Sequence, residues 1–402
     1  MKIVFFDLNR LDFEGGCEKQ IAAMANALAE NWHEVSIICN SFLYVRVRPR
    51  FENILYAVLG LKNRHETKNM LKLERNCGKA RINNLSLKFH IPCSDYRKQI
   101  IRKLIEAEII YCKNEFMDLL YLYILIGREN FRKVVIGVHT AIFLQKADSI
   151  HSRIHNMLYF SRIYKKLLQL SGAIHVPNSS YVDSISVKYK VGKSKVHYIP
   201  YIVSGNEFKI PAKRSSDRFQ ILFAGRLTEQ KGVDYLRDLI KSLAKNTEFE
   251  NTEFIIAGNG DMDAIPEKLS QEYSNIKFMG FVDNTNELYK DIDLAIILSR
   301  WETVSYIALE SHSRGIPVVS FDIPGPSDII ENGITGKLVA LGDIQAFKDS
   351  VLEFFYMWKN DQESFLKMRG NAYKRIKENF SVEQIVPQMG KMFKKITSLC
   401  KR

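Results

Sequence analysis

"FQILFAGRLTEQKGVDYLRDLIKSLAK", residues 219–245, decides the fold. It opens with a short, nearly continuous apolar run, the pattern of a strand buried on both faces of a parallel sheet. A loop bounded by Gly225 and Gly232 follows, and "GVDYLRDLIKSLAK" then reads as a helix. Strand, glycine loop and helix form a β-α unit, and the loop amides and helix amino end at such a junction can hold an anion. Arg226 and Lys231 lie five positions apart across this loop. A guanidinium can bind two phosphate oxygens at once and an ammonium adds a mobile point charge, so the pair reads as a clamp for a diphosphate. The bland alternative is a solvated basic turn.

The alternation continues downstream. "EFIIAGNG", "IKFMGFV", "LAIILS" and "PVVSFD" read as strands, with helices at "NELYKD", at about 305–314 and in long stretches to the end. Upstream, "KIVFFDL" precedes a two-glycine loop and a helix from about Gln20 to Asn31, whose Ile21, Met24, Ala25 and Leu28 repeat at three and four. "HEVSIICN", "AEIIYCKN", "VVIGVHT", "GAIHVPNS" and "VHYIP" complete a second set of strands. Residues 43–100 are less regular and show only some basic helix. Periodicity lapses at "YIVSGNEFKIPAKRSSDR", residues 201–218, which marks a domain boundary. The expected fold is α/β, with two doubly wound domains in series, a cleft between them, and ligands at the carboxyl ends of the strands.

Length agrees, because single cores stop growing at roughly 250–300 residues and this chain has 402. The longest apolar runs, such as "LLYLYILIG", fall short of the roughly 18 residues that span a bilayer. The start lacks the pattern of a signal peptide, so a cytoplasmic location is expected. Six cysteines show no C-x-x-C pair, which suggests neither a disulfide framework nor a zinc site. The net charge of +13 concentrates in the first half, at "YVRVRPR" (44–50), in 61–81 and at "RIYKKLLQL" (162–170). There Lys and Arg mix with Tyr, Leu and Ile, the composition of a solvated basic face or of an interfacial membrane surface. Nucleic acid is a third reading of the same charge.

Other residues carry potential chemistry. In "SRWETVSYIALES", residues 299–311, Glu302 and Glu310 stand eight apart, one in a loop and one on the second turn of a helix starting near Ser305. Gly258 and Gly260 form a G-x-G turn after a strand, where absent side chains let backbone approach a ligand. The full dinucleotide fingerprint is missing, which disfavours a nicotinamide enzyme. Gly15 and Gly16 give the first domain its own candidate phosphate or sugar loop. His139 ends an apolar strand, where a residue points toward the cleft. The Asp261–Asp263 and Asp291–Asp293 triplets are weak metal candidates, and the second reads as strand punctuation.

The order "GG-x-E", "AGRLTEQKG", "AGNGD", "GFV", E-x7-E, "G-x-PVV" and "PG…ENGITG" resembles the family 4 glycosyltransferases of the GT-B fold. The resemblance is dense over residues 219–340 and sparser before them. It implies two Rossmann-like domains, 1–205 binding acceptor and 206–385 binding nucleotide-sugar, with a helix at 386–402 returning to the first. It implies a retaining hexosyltransferase that moves sugar from a UDP- or GDP-sugar without an essential metal or other cofactor. Arg226 and Lys231 would hold the donor diphosphate, Glu310 the ribose hydroxyls, and Glu302 the transferred sugar. Gly258, Gly260, Phe281 and Val282 would border the base, with Ser305 and Tyr306 at the helix start completing the donor site. His139, Gly15 and Gly16 would face the sugar from the other domain, making His139, Arg226, Lys231 and Glu302 the catalytic set.

The chain departs from the family's pattern at three places. Thr303, Val304 and Ser305 stand where Gly-Phe-Gly is frequent, Asp328 where glutamate is common, and "PYIVS" (200–204) replaces "PNGVD". The expected function is transfer to a lipid-linked or growing saccharide acceptor in cell-surface polysaccharide synthesis of the O-antigen or capsule type. The enzyme would sit peripherally at the inner face of the plasma membrane, drawn to its anionic surface and binding no nucleic acid. A soluble small-molecule acceptor and a catalytically silent sugar-nucleotide-binding protein are the alternatives.

Overall fold

The computed structural model describes residues 1–7, 16–31, 33–40, 81–85, 94–139, 150–203, 217–282 and 285–400. The chain divides into two compact units, Met1–Ile202 with Val382–Arg402, and Val203–Ser381.

The first domain holds strands β1 (Lys2–Asp7), β2 (Glu34–Asn40), β3 (Arg81–Leu85), β4 (Ile109–Lys113), β5 (Val134–Gly137), β6 (Ala173–Val176) and β7 (Val196–Tyr198). They pair in parallel in the order β3-β2-β1-β4-β5-β6-β7. Successive residues of β1 point to opposite faces, as a pleated strand requires. Val4 and Phe6 join one core cluster, while Ile3 and Phe5 join the other. Helices 94–106, 116–130, 162–170 and 181–189 bury Leu104, Leu119, Leu168 and Ile185 on the first face. Helices 16–30 and 382–400 cover the opposite face, the latter through Ile385, Met389, Phe393 and Ile396. The C-terminal helix thus belongs to the first domain's core.

The second domain is a six-stranded parallel sheet in the order β10-β9-β8-β11-β12-β13. Its strands are β8 (Phe219–Ala224), β9 (Thr252–Ala257), β10 (Ile276–Gly280), β11 (Leu294–Ile297), β12 (Val318–Phe321) and β13 (Gly336–Val339). Helix Val233–Leu243 buries Val233, Leu236, Leu239, Ile240 and Leu243, a three-and-four repeat that sets one stripe against the sheet. Truncating such a residue, for instance Leu236→Ala, costs about 2–5 kcal/mol through lost burial and the cavity left behind.

The α/β, doubly wound architecture of each domain agrees with the sequence reading. Two strands escaped that reading. β3, "RINNL", is a polar edge strand inside the irregular 43–100 stretch and pairs with β2. β13, "GKLV", has four residues at the opposite edge of the second sheet. The basic segments at 44–50 and 61–80 lie outside the described residues. No helix among the described residues is long and apolar enough to cross a membrane.

Candidate functional site

The site of the second domain is built on the turns that leave β8, β9 and β11 at their carboxyl ends. The first two interlock through backbone. Leu227 N–H donates to Asn259 O at 2.8 Å, and Met262 N–H returns to Leu227 O at 3.0 Å. A Cβ on Gly258 would lie 1.7 Å from Gly225 O, and one on Gly260 would lie 2.2 Å from Leu227 O. The G-x-G turn therefore needs glycine for its fit against the Arg226 loop, whatever a ligand requires.

Lys231 turns inward from that loop. Its Nζ donates to Glu302 Oε1 at 2.5 Å, and Ser299 Oγ–H donates to the same oxygen at 2.8 Å. Glu302 is buried. The structure thus joins the expected diphosphate residue to the expected sugar residue, 71 positions apart. Arg226 is exposed and donates from Nη2 to Gln230 Oε1 at 3.1 Å. It lies on the same turn, with its guanidinium toward solvent.

A third cation fixes the loops to each other. Arg300 grips Asp234 with two nitrogens, Nη1 at 2.8 Å and Nη2 at 2.6 Å, and stacks its guanidinium 4.1 Å from the centre of the Tyr235 ring. Arg300 N–H donates to Gln230 O at 2.8 Å. The Arg300 fork holds the Asp234 carboxyl below the usual carboxylate range. Glu302, two residues on, thereby stays level with Lys231.

Helix Tyr306–His312 follows. Ser305 caps it by accepting from Ala308 N–H at 3.3 Å. Glu310 is buried on its second turn, where Oε2 accepts from Tyr289 O–H at 2.9 Å and its main-chain oxygen accepts from Arg314 Nη1 at 2.9 Å. Burial first, and then the Glu310 charge, push the Tyr289 phenol well above its ordinary pKa. Tyr306 is half-buried, Val282 likewise, and Phe281 is 49% exposed beside the Gly280 turn. Asp293, directly before β11, accepts Gln220 N–H at 3.0 Å, in keeping with the strand punctuation read there from sequence.

In the first domain His139 is buried and both its ring nitrogens are engaged. Nδ1 meets Tyr201 Oη and Nε2 meets Tyr111 Oη, each at 2.8 Å, and Tyr111 Oη also meets His175 Nδ1 at 2.5 Å. His175 Nε2 lies 2.7 Å from Ile199 O. A carbonyl can only accept, so His175 carries its proton on Nε2. Burial keeps both histidines neutral, pushing His175 down to about 4 and His139 well below its ordinary value. His175 Nδ1 must then accept from Tyr111 O–H, Tyr111 from His139 Nε2–H, and His139 Nδ1 from Tyr201 O–H. Every proton in the row is assigned by its far end. Gly137 makes room for it, since a Cβ there would sit 2.1 Å from Tyr111 Oη. Beside this row, Lys113 Nζ and Asp7 Oδ2 form a buried ion pair at 2.8 Å, at the ends of β4 and β1. Gly16 opens helix Gly16–Glu30. Gly15 lies outside the described residues.

Arg226, Lys231, Gly258, Gly260 and Glu302 converge on adjacent turns, and Ser305, Tyr306 and Glu310 sit on the helix after them. Sequence reasoning did not single out Asp234, Arg300, Tyr289, Tyr111 or His175. Arg300 was visible next to Glu302, but its partner stands 66 positions earlier. Tyr111 and His175 looked like ordinary strand residues.

Residues 206–375 match the family model of glycosyl transferases group 1. An uncharacterized glycosyltransferase of Methanocaldococcus jannaschii is 26% identical over 337 residues, 80% of each chain. The UDP-Gal:alpha-D-GlcNAc-diphosphoundecaprenol alpha-1,3-galactosyltransferase of Escherichia coli is 24% identical over 53% of this chain and 55% of its own. The crystal structure of Anabaena HepE in complex with UDP superposes with a TM-score of 0.70 at 16% identity, covering 98% of this chain and 100% of that one. The fold is GT-B.

Proposed function

We propose that this chain, whose residues 206–375 match the glycosyl transferases group 1, is a retaining hexosyltransferase using a UDP- or GDP-sugar and acting on a lipid-linked or growing saccharide in cell-surface polysaccharide synthesis. The observation that carries the reading is the Lys231–Glu302 pair, held at 2.5 Å on turns at the carboxyl ends of β8 and β11 with Arg226 on the same loop. A HepE structure holds UDP and the Escherichia coli relative is named for a diphosphoundecaprenol acceptor. Both support this choice of donor and acceptor class.

In the proposed reaction the bond from the anomeric carbon to the diphosphate oxygen breaks as the acceptor hydroxyl oxygen bonds to the same face of that carbon. The hydroxyl proton passes to the departing phosphate oxygen, so the products are the glycoside and a nucleoside diphosphate. Negative charge grows on the leaving phosphate. Lys231 is a fixed cation in this reading and Arg226 a second, more exposed one on the same loop, and preorganised charge of this kind is the largest single contribution in many enzymes. The reading assigns this neutralisation to the two side chains and so expects no essential metal. Glu302 keeps Lys231 in place before the donor arrives and accepts from hydroxyls of the sugar afterward. In this reading Glu310 accepts from the ribose hydroxyls, in exchange for its bond to Tyr289.

A thermal-shift screen with UDP-, GDP- and ADP-sugars, followed by a transfer assay with and without chelator, tests this. A binding ligand raises Tm, because it binds only the folded state. The expected result is a shift with one nucleotide class, transfer that survives chelation, and loss of transfer in Lys231→Ala. No shift with any sugar nucleotide at millimolar concentration would remove the proposal. Donor binding without turnover on any acceptor would favour a silent binding protein.

A further inference from the structure

Helix Arg162–Leu170 packs against each of helices Phe116–Asn130, Ile150–Tyr159 and Tyr181–Tyr189, on one face of the first domain's sheet. Their outer sides are unusually apolar. Of the fifteen large hydrophobic side chains exposed among the described residues, seven lie on these helices or at Phe160 between two of them. Met117 and Ile124 stand seven residues apart on one side of their helix, and the exposed Arg128 follows the break at Gly127, where φ is +71°. On the next helices Met157 is 65% exposed and Ile163 is 53% exposed.

Cations are set among these side chains. A groove of about 330 Å³ between two of the helices is lined by Leu120, Tyr123 and Ile163 together with Arg128, Arg162 and Lys166. Lys188 places its ammonium 3.6 Å from the centre of the exposed Phe160 ring. Arg153 and Lys190 are exposed nearby in sequence. Against them stand Glu129 and Asp183, and Asp183 is neutralised by Lys193 at 2.7 Å.

We infer that this helical layer is the surface by which the protein docks on an anionic phospholipid bilayer. Ile124, Met157, Phe160 and Ile163 enter the headgroup boundary while Arg128, Arg162 and Lys166 meet lipid phosphates. Exposed apolar side chains ringed by Lys and Arg, with long basic stems that extend toward headgroups, are the chemistry of an interfacial surface. A bilayer suits the face better than a second acidic protein does, because the apolar side chains spread over several helices instead of forming one deep pocket. This inference rests on the reading of a lipid-linked acceptor and names the surface that serves it.

The test is sedimentation of the full chain with vesicles of phosphatidylcholine, alone or with phosphatidylglycerol added, at low and high salt. Each basic side chain near an anionic surface is worth about fivefold in partition. R162E/K166E should therefore weaken binding to the anionic vesicles about thirtyfold or more, and I124S/I163S should weaken it severalfold with less salt dependence. All four positions are exposed, and an unchanged Tm will verify that the variants fold. Thermal shift by the sugar nucleotide is measured in parallel and should be unchanged, which separates loss of docking from loss of donor binding. Equal vesicle binding by wild type and both variants would overturn the assignment of this surface while leaving the transferase reading intact. So would wild-type protein that ignores anionic vesicles, or one whose variants lose only a concentration-dependent dimer.

Discussion

Lys231 Nζ and Glu302 Oε1 are 2.5 Å apart, with the carboxylate buried and the ammonium about one-fifth exposed. The pair is therefore poised to exchange partners: a phosphate arriving beside Lys231 competes with Glu302 for the same donor.

Lys231→Ala removes the cation from the leaving phosphate and should lower kcat/KM by about two to three powers of ten. Glu302→Gln keeps an acceptor for Ser299 but releases Lys231, and should lower kcat too. Because the two residues act on each other, the double variant should lose less than the sum of the single losses. Transfer kinetics of the three proteins will check this, and additive losses would mean that the pair does not work as a unit.

Arg300→Lys keeps the charge and discards the fork that grips Asp234 through two nitrogens. The Glu302 loop should then wander relative to Lys231. The expected outcome is a fall in kcat of about tenfold, since small misplacements of catalytic groups are expensive, with KM for donor little changed and the circular dichroism spectrum intact. Asp234→Asn should reproduce it. An altered KM with normal kcat would instead assign Arg300 to donor binding.

Tyr111→Phe deletes the hydroxyl that both His139 and His175 contact. It leaves a buried N–H on one ring and a buried acceptor on the other, each costing about 1–3 kcal/mol when unsatisfied. Urea unfolding should show a first domain destabilised by several kcal/mol. A loss under 1 kcal/mol would indicate that the row has another way to satisfy its ends.

Acid should weaken both domains. Burial pushes His175 in the first domain and His312 in the second down to about 4, from an ordinary value of 6.5. Between those pH values the unfolded chain binds protons that the folded chain refuses, so stability rises with pH in that window. The contribution is fully present above about pH 6.5 and is lost as pH falls toward 4. Tm should drop steadily on acidification from pH 7 to 4.5, and His175→Gln and His312→Gln should each flatten the slope. A Tm that rose on acidification would reverse the assignment.

Sequence was informative where one short segment carries the whole signal. The β8 turn, with Arg226, Lys231 and Gly232 between an apolar run and an amphipathic helix, is legible because strand, loop and helix are contiguous. So was the Glu302–Glu310 spacing. The reading stopped where the determining partner is distant or the element is marginal. β3 is a short edge strand, Arg-Ile-Asn-Asn-Leu, that is placed by its pairing with β2 and not by a pattern of its own. Gly258 was read as an opening for a ligand, and only the nearby Gly225 carbonyl reveals the internal constraint. The Arg300–Asp234 fork and the Tyr111 row join residues that no local periodicity connects.

The helix Val382–Cys400 inserts Ile385, Met389 and Phe393 into a sheet whose last strand ends at Tyr198. A ribosome makes those two parts of one core with the entire second domain between them, at roughly 5–20 residues per second. Residues 203–381 form an uninterrupted unit and can close as soon as they emerge. The half of the protein that is translated first is thus completed last, and until then the part of its sheet face that this helix covers stays open beside helix 16–30.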